Sequence, residues 1–280
     1  MVGSDGIKKK VAQTYDQIHE ELEPTREKYM TTLTNILLRD INIPENPTTL
    51  DIGCGTGHST FALEKKCTHK GKFIGIDISQ KSIDNAVQEA KNRESTNINF
   101  QIGDAEQLRF PESTFDLVIS NMCFQFIPDK MRALSEVFRV LKPEGVVAFL
   151  YPGKQQYHEA RMLLLEVAER YEDYPEVLLA VRENDRLLID LLESKWLFMS
   201  AGFVDFSVYG TDSIRFVEPD WFIGSMSGTW GLWRSGLSRC LVDQVHSDLL
   251  IEANKVASGD GFKLTSNLIH ASGKKPLLNR

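Results

Sequence analysis

The chain has 280 residues, 42% of them hydrophobic and 25% charged, with a formal net charge of −7. Such a length holds one generous α/β domain with an extension, or two small domains, and buries enough surface to need no metal or disulfide staple. The acidic balance opposes a nucleic-acid or anionic-membrane partner, which requires a basic face, and the composition excludes wholesale disorder.

From the start, residues 5–40 carry apolar positions at helical spacing: Val11, Tyr15, Ile18 and Leu22, then Tyr29, Leu33, Ile36 and Leu37. Pro24 suits the first turn of a second helix, and the Lys8–Lys10 run reads as a solvated helix end. PENP at 44–47 breaks the pattern. Short β-rich runs follow at 48–52, 72–77, 97–102, 115–120 and 145–150, with amphipathic stretches at about 58–68, 79–93 and 128–141 between them. That rhythm predicts right-handed βαβ units and a doubly wound, mostly parallel sheet of the α/β class. After residue 151 the alternation stops. A long helical region (about 155–200), a strand at 203–209, an aromatic-rich stretch (216–233), a helix near 237–257 and a last strand around 262–271 complete the chain.

No linker of Gly, Ser or Pro divides the chain, so the expectation is an N-terminal helical cap over 1–46 and one domain over 47–280. That domain carries lid insertions at about 154–200 and 214–258. Cys54, Cys67, Cys123 and Cys240 match neither a zinc site nor a disulfide framework. With no apolar run suited to export or to crossing a membrane, the expected setting is cytoplasmic, with no membrane partner.

The text that carries chemistry is LDIGCGTGHST, residues 50–60. A buried strand ends at Asp51, then Gly53, Gly55 and Gly57 open a turn into a helix, where the backbone can approach a ligand closely. Dinucleotide binders use G-x-G-x-x-G and set a pyrophosphate on the helix N-terminus. Here the third glycine comes one place early, and an acid stands two residues before the first. A carboxylate repels pyrophosphate but attracts an α-amino group or a sulfonium, which favours S-adenosylmethionine over NAD. Asp77 ends the second strand, 26 positions past Asp51, where a carboxylate accepts from ribose hydroxyls. Asp104 follows the third strand and suits an adenine amino group. A tight turn without ligand, and Asp77 and Asp104 as caps or turn formers, are the competing readings.

With these residues in place, the segment 48–151 resembles the class I S-adenosylmethionine-dependent methyltransferases, and LKPEGVVAF at 141–149 resembles that family's turn into its fifth strand. The resemblance implies a seven-stranded, mostly parallel sheet whose last strand runs antiparallel, and S-adenosylmethionine as cofactor. It assigns Asp51, Gly53, Gly55 and Gly57 to the methionine moiety, Asp77 to ribose, Asp104 with Ala105 to adenine, and Asn121 to the methionine end. Cys54 and Ile78 join the cofactor-binding set, and Tyr15 with Asp16 closes over the ligand; an ordinary helix-face aromatic is the other reading of Tyr15.

Residues 120–145 are similar to the trans-aconitate and malonyl-carrier-protein carboxyl methyltransferases, with Gln125-Phe126 standing for a Gln-Trp pair and Pro128-Asp129 after it. Residues 220–236 resemble a lid of the trans-aconitate type through Trp221, Gly228, Thr229, Leu232 and Arg234. Gln125, Trp230 and Arg234 are therefore the candidate substrate contacts, while Trp221, Phe222, Met226, Trp230 and Trp233 form either an apolar lid or a satellite core. Arg215 is a second candidate for clamping an acid. No catalytic residue is assigned; His58, His158 and Gln125 are candidates, with His58 equally readable as a polar residue of a first helical turn. A carboxylate is ionised at neutral pH and needs no general base, whereas alcohols and amines usually do. The expected function is O-methylation of a carboxylate or hydroxyl of a small molecule, with no nucleic-acid partner and the oligomeric state left open. C- or N-methylation of an apolar small molecule and a catalytically silent cofactor-binding subunit are the alternatives.

Overall fold

The structure, a computed structural model, describes residues 4–18, 23–39, 41–68, 70–220, 234 and 236–277. Two helices lead, α1 (Ser4–Ile18) and α2 (Glu23–Leu37). The wound part follows in chain order: β1 (Thr48–Ile52), α3 (His58–Lys66), β2 (Lys72–Asp77), α4 (Gln80–Asn92), β3 (Ile98–Ile102) and β4 (Phe115–Asn121). A 3-10 turn (Phe124–Phe126), α5 (Lys130–Val140) and β5 (Leu141–Pro152) come next. Then α6 (His158–Glu169), α7 (Pro175–Asp185), α8 (Leu191–Ser200), β6 (Val204–Val217), α9 (Arg239–Val256) and β7 (Phe262–Lys274).

The sheet has seven strands in the order β3-β2-β1-β4-β5-β7-β6. Pairs β1–β2, β1–β4, β2–β3 and β4–β5 are parallel. Against β5, β7 runs the other way: Glu144 N–H donates to Lys275 O, and Gly153 N–H donates to Asn267 O. This is the α/β, doubly wound, mostly parallel sheet that the strand rhythm implies. Apolar runs such as Val147–Leu150 are fully buried because helices cover both faces of the central strands. Local chemistry sets the helix starts. The Ser79 side chain accepts from Ser82 N–H (3.0 Å) at α4, and Asp129 accepts from Arg132 N–H (2.9 Å) at α5.

Three elements depart from expectation. Strand β5 begins at Leu141, not at 145, because Pro143 forces the residue before it into an extended conformation and Leu141 already pairs with Phe115. The region 155–200 is three helices, with Pro175 opening the second. Strand β6 does not stop at 209 but continues to Val217, through the Gly-Thr-Asp-Ser text at 210–213, on the sheet edge.

By compactness the chain divides into two units. The first is Met1–Tyr151 with Leu191–Tyr209 and Ile269–Arg280; the second is Pro152–Asp190 with Gly210–Leu268. The first is centred on the sheet, with Leu50, Phe73, Phe115, Leu117, Val118 and Phe149 closed to solvent. Within the second, α6, α7 and α9 bury Val167, Val177, Val245 and Leu249.

Candidate functional site

The glycine loop after β1 has all three glycines at positive φ: 69° at Gly53, 54° at Gly55 and 91° at Gly57. They are not equivalent. A Cβ on Gly53 would lie 2.1 Å from Cys123 Sγ, and one on Gly57 would lie 2.7 Å from the Phe100 ring, so these two admit close packing. A Cβ on Gly55 would meet nothing within 4 Å; this glycine borders open space. Backbone bonds fix the loop to β2: Gly53 N–H donates to Ile76 O (2.8 Å), and Gly55 N–H donates to Asp77 Oδ2 (2.9 Å). Cys54 is buried, and Ile78 is partly buried one residue beyond β2.

Asp51 ends β1 at 2% exposure. Its Oδ2 accepts from Thr60 Oγ1 (2.7 Å), while Oδ1 is buried without a hydrogen-bond partner. Burial pushes its carboxyl up to about 7; the Thr60 hydroxyl pulls the other way and the nearby Asp77 charge adds to the rise. Asp77 is raised by burial too, against hydrogen bonds from the backbone of Ser79 and Gly55. Asn121 ends β4 on the same sheet face as Asp51, since Asp51 pairs with Ile119 two residues earlier. Its Nδ2 donates to Thr34 Oγ1 (3.1 Å) and Ser59 Oγ (3.0 Å), and its Oδ1 is buried and unpartnered. Gln125, in the 3-10 turn, is closed to solvent; its Nε2 donates to Met122 O (2.8 Å) and its Oε1 has no partner.

Helix α1 grips three strand ends. Lys8 Nζ lies 2.7 Å from Asp104 Oδ2 and 2.6 Å from Glu106 Oε2 beyond β3. Ser79 Oγ donates to Asp16 Oδ1 (2.5 Å) beyond β2, and Tyr15 meets Phe126 edge-on (centroids 5.6 Å apart) beyond β4. Lys8 is therefore not a solvated helix end: against the penalty of burial, hydrogen bonds to Asp104 and Glu106 hold its ammonium above the usual range. Asp104 Oδ1 accepts from Glu106 N–H (2.9 Å), and Ala105 between them is buried.

His58 directly follows Gly57, whereas His158, Arg215 and Arg234 belong to the second unit. His58 opens α3, with its charge acting on Glu89 of α4. In the second unit, His158 is exposed at the start of α6, and Arg215 donates to Tyr157 Oη (2.7 Å). Arg234 stands near His246, whose imidazole is held down at about 4 by burial first and by that guanidinium second. Trp230, with Trp221, Phe222, Met226, Gly228, Thr229, Leu232 and Trp233, lies outside the described residues.

Sequence reasoning missed Thr34, Ser59, Thr60 and Lys130. The Ser-Thr pair directly after GTGH is the one local signal, two hydroxyls in a first helical turn facing the strand ends. Lys130 is half-buried, with Nζ donating to Ile127 O (3.0 Å) and Gln125 O (3.3 Å); loss of solvent around it lowers its ammonium to about 8.

Among the described residues there is no cluster of metal-ligating side chains and no helix long and apolar enough to cross a membrane. What the loop offers is buried acceptor oxygens beside an open glycine, chemistry that fits a ligand with a cationic amino end.

Residues 43–186 match the model of a family described as a methyltransferase domain. A demethylmenaquinone methyltransferase of Geobacillus stearothermophilus is 30% identical over 184 residues, covering 61% of this chain and 77% of the relative. The aklanonic acid methyltransferase DauC of Streptomyces sp. strain C5 is 35% identical over 146 residues, 52% of this chain and 66% of the relative. Among crystal structures, the YcgJ protein of Bacillus subtilis superposes with a TM-score of 0.62 at 19% identity, over 88% of this chain and 99% of that one. An S-adenosylmethionine-dependent methyltransferase of Aquifex aeolicus gives 0.52 at 20% identity, over 73% and 92%. These two likenesses are of fold.

Proposed function

The chain belongs to the methyltransferase-domain family, and we propose that it methylates an oxygen of a small organic acceptor, a carboxylate first and a hydroxyl second. As a member of that family it is an S-adenosylmethionine-dependent methyltransferase acting on small molecules. Bound in the crevice, S-adenosylmethionine supplies a methyl group already activated on a sulfonium. The protein's task is to hold and align the partners and to keep water away.

The observation that carries the cofactor placement is the bare, buried Asp51 Oδ1 at a glycine hinge whose middle residue borders open space. Asp51 and Asn121 receive the methionine end. Each Asp77 oxygen, already accepting one backbone N–H, keeps a further lone pair for a ribose hydroxyl. Asp104 and Ala105 face the adenine, with Cys54 and Ile78 shaping the loop on either side, and Tyr15 covers the ligand from α1. Gln125 Oε1 is the proposed contact to the methyl acceptor.

Three considerations support an oxygen acceptor. An ionised carboxylate needs no proton removed before attack. Residues 120–145 resemble carboxyl methyltransferases, and one relative is named for an acid. Against this stands the relative named for demethylmenaquinone, which favours transfer to an apolar ring as the second reading. The full chain, incubated with methyl-labelled S-adenosylmethionine and a panel of organic acids and phenols, is expected to give label that mild base releases as methanol. An alkali-stable methyl ether would overturn the carboxylate assignment, and a methyl on carbon or nitrogen would overturn O-methylation.

A further inference from the structure

Beneath the glycine loop a line of hydroxyl hydrogen bonds runs from α2 to the end of β4. It begins at the carbonyl of Met30, 2.8 Å from Thr34 Oγ1. A carbonyl carries no proton, so Thr34 is the donor there and has none left to give. Its contact with Ser59 Oγ (3.0 Å) must then be donated by Ser59, which spends that hydroxyl's single proton. Both hydroxyl oxygens face Asn121, and each can only accept; the Asn121 amide must present its NH2 group to them. Reversed, its oxygen would confront two oxygens with no hydrogen between. One helical carbonyl thus dictates the orientation of an amide on another element. The consequence is that Asn121 Oδ1 stands bare although the residue is only 4% exposed.

On the same face of the adjoining strand, Asp51 repeats the arrangement. Thr60, the neighbour of Ser59 on α3, fixes Oδ2 and leaves Oδ1 bare. Two consecutive hydroxyls therefore orient two side chains so that each shows an unpartnered oxygen, and with Asp51 ionised neither shows a donor. A carboxylate would be repelled by such a pair; an ammonium, with several N–H bonds, is matched by it.

We infer that Thr34 and Ser59 are positioning residues through which helix α2 fixes Asn121 Oδ1, together with Asp51 Oδ1, as the receptor for the α-ammonium of the methyl donor. The inference rests on the cofactor reading above and adds to it a role for the N-terminal helices that touches no ligand.

Calorimetry on the full chain with S-adenosylhomocysteine and with 5′-methylthioadenosine tests it, because the second ligand keeps the nucleoside and sulfur but lacks the amino acid end. Thr34→Val removes the hydroxyl at nearly constant volume. It is expected to weaken S-adenosylhomocysteine about tenfold and to change methylthioadenosine less than about twofold, with Thr34→Ser restoring the wild-type ratio. Ser59→Ala is expected to act the same way, a second route should Thr34→Val fold poorly. An unchanged ratio, or equal losses for both ligands, would overturn the relay. Wild-type protein that binds neither ligand would instead overturn the cofactor reading, and the relay with it.

Discussion

Asp51 is asked to be charged where charge is costly. Burial holds its carboxyl at about 7, well above the 3.8 of a free side chain, so the unliganded protein carries it protonated below neutrality. Between about pH 4 and 7 the folded state keeps a proton that the unfolded chain has lost, so this residue lowers folding stability as pH rises through that window. A cationic ligand reverses the balance, because it binds the ionised form. Affinity for S-adenosylhomocysteine should therefore rise about tenfold from pH 6 to pH 8, with most of the gain below 7.5 and a proton released on binding. Calorimetry in buffers of different ionisation heat measures both quantities. Asp51→Asn should bind weakly and flatten the profile; a profile that keeps its slope in that variant assigns the titration to another group. The acid and its glycines were legible because their signal is local, an acid two residues before a glycine turn. Thr34 was not. Its partners Ser59 and Asn121 lie 25 and 87 positions away, and one of the four threonines of α2 shows nothing in sequence of a bond formed only on folding.

At the scale of the element, α1 is tied by specific polar bonds to Asp104, Glu106 and Ser79. Three lysines at 8–10 look alike in sequence, yet only Lys8 continues the stripe of Val11 and Tyr15 at spacings of three and seven. That phase carries it to Asp104 and Glu106, with its side chain 19% exposed and that of Glu106 5% exposed. The apolar stripe and the charge run were each visible; the acidic residues past β3 that join them were not, because they lie 96 and 98 positions on. Lys8→Met keeps the aliphatic stem and removes the charge. The helix Ser4–Ile18 should then exchange its amide hydrogens about tenfold faster, the factor expected from losing charge-assisted bonds of roughly 1.5 kcal/mol. Hydrogen exchange resolved by peptide reads this directly. Unchanged protection would mean that the Tyr15–Phe126 and Asp16–Ser79 contacts hold the helix without Lys8.

For the molecule as a whole, the strand rhythm of 48–150 disclosed the sheet because each buried strand is a short apolar run in its own right. Residues 152–268 were harder to read, since helices packed on helices leave only a 3.6 period and an edge strand such as β6, with most side chains in solvent, shows no consistent alternation. The two units divide the chemistry as well. Every proposed cofactor residue from Tyr15 to Asn121 lies within the first unit, whereas the second has an apolar cluster of its own. Polar ties inside the second unit bind α6 and its end to α9: Arg170 to Glu252 (2.6 Å) and Tyr171 Oη donating to Asp248 (2.6 Å). Leu249, fully buried on α9 among Val245, Ala253 and Leu264, tests the division. Leu249→Ala leaves a cavity that should destabilise the second unit by about 2–5 kcal/mol, seen as faster hydrogen exchange through Arg239–Val256. Affinity for S-adenosylhomocysteine should stay within about twofold of wild type, because none of the residues assigned to it is touched. A loss of affinity that grows in step with the loss of protection would mean that the second unit takes part in holding the cofactor.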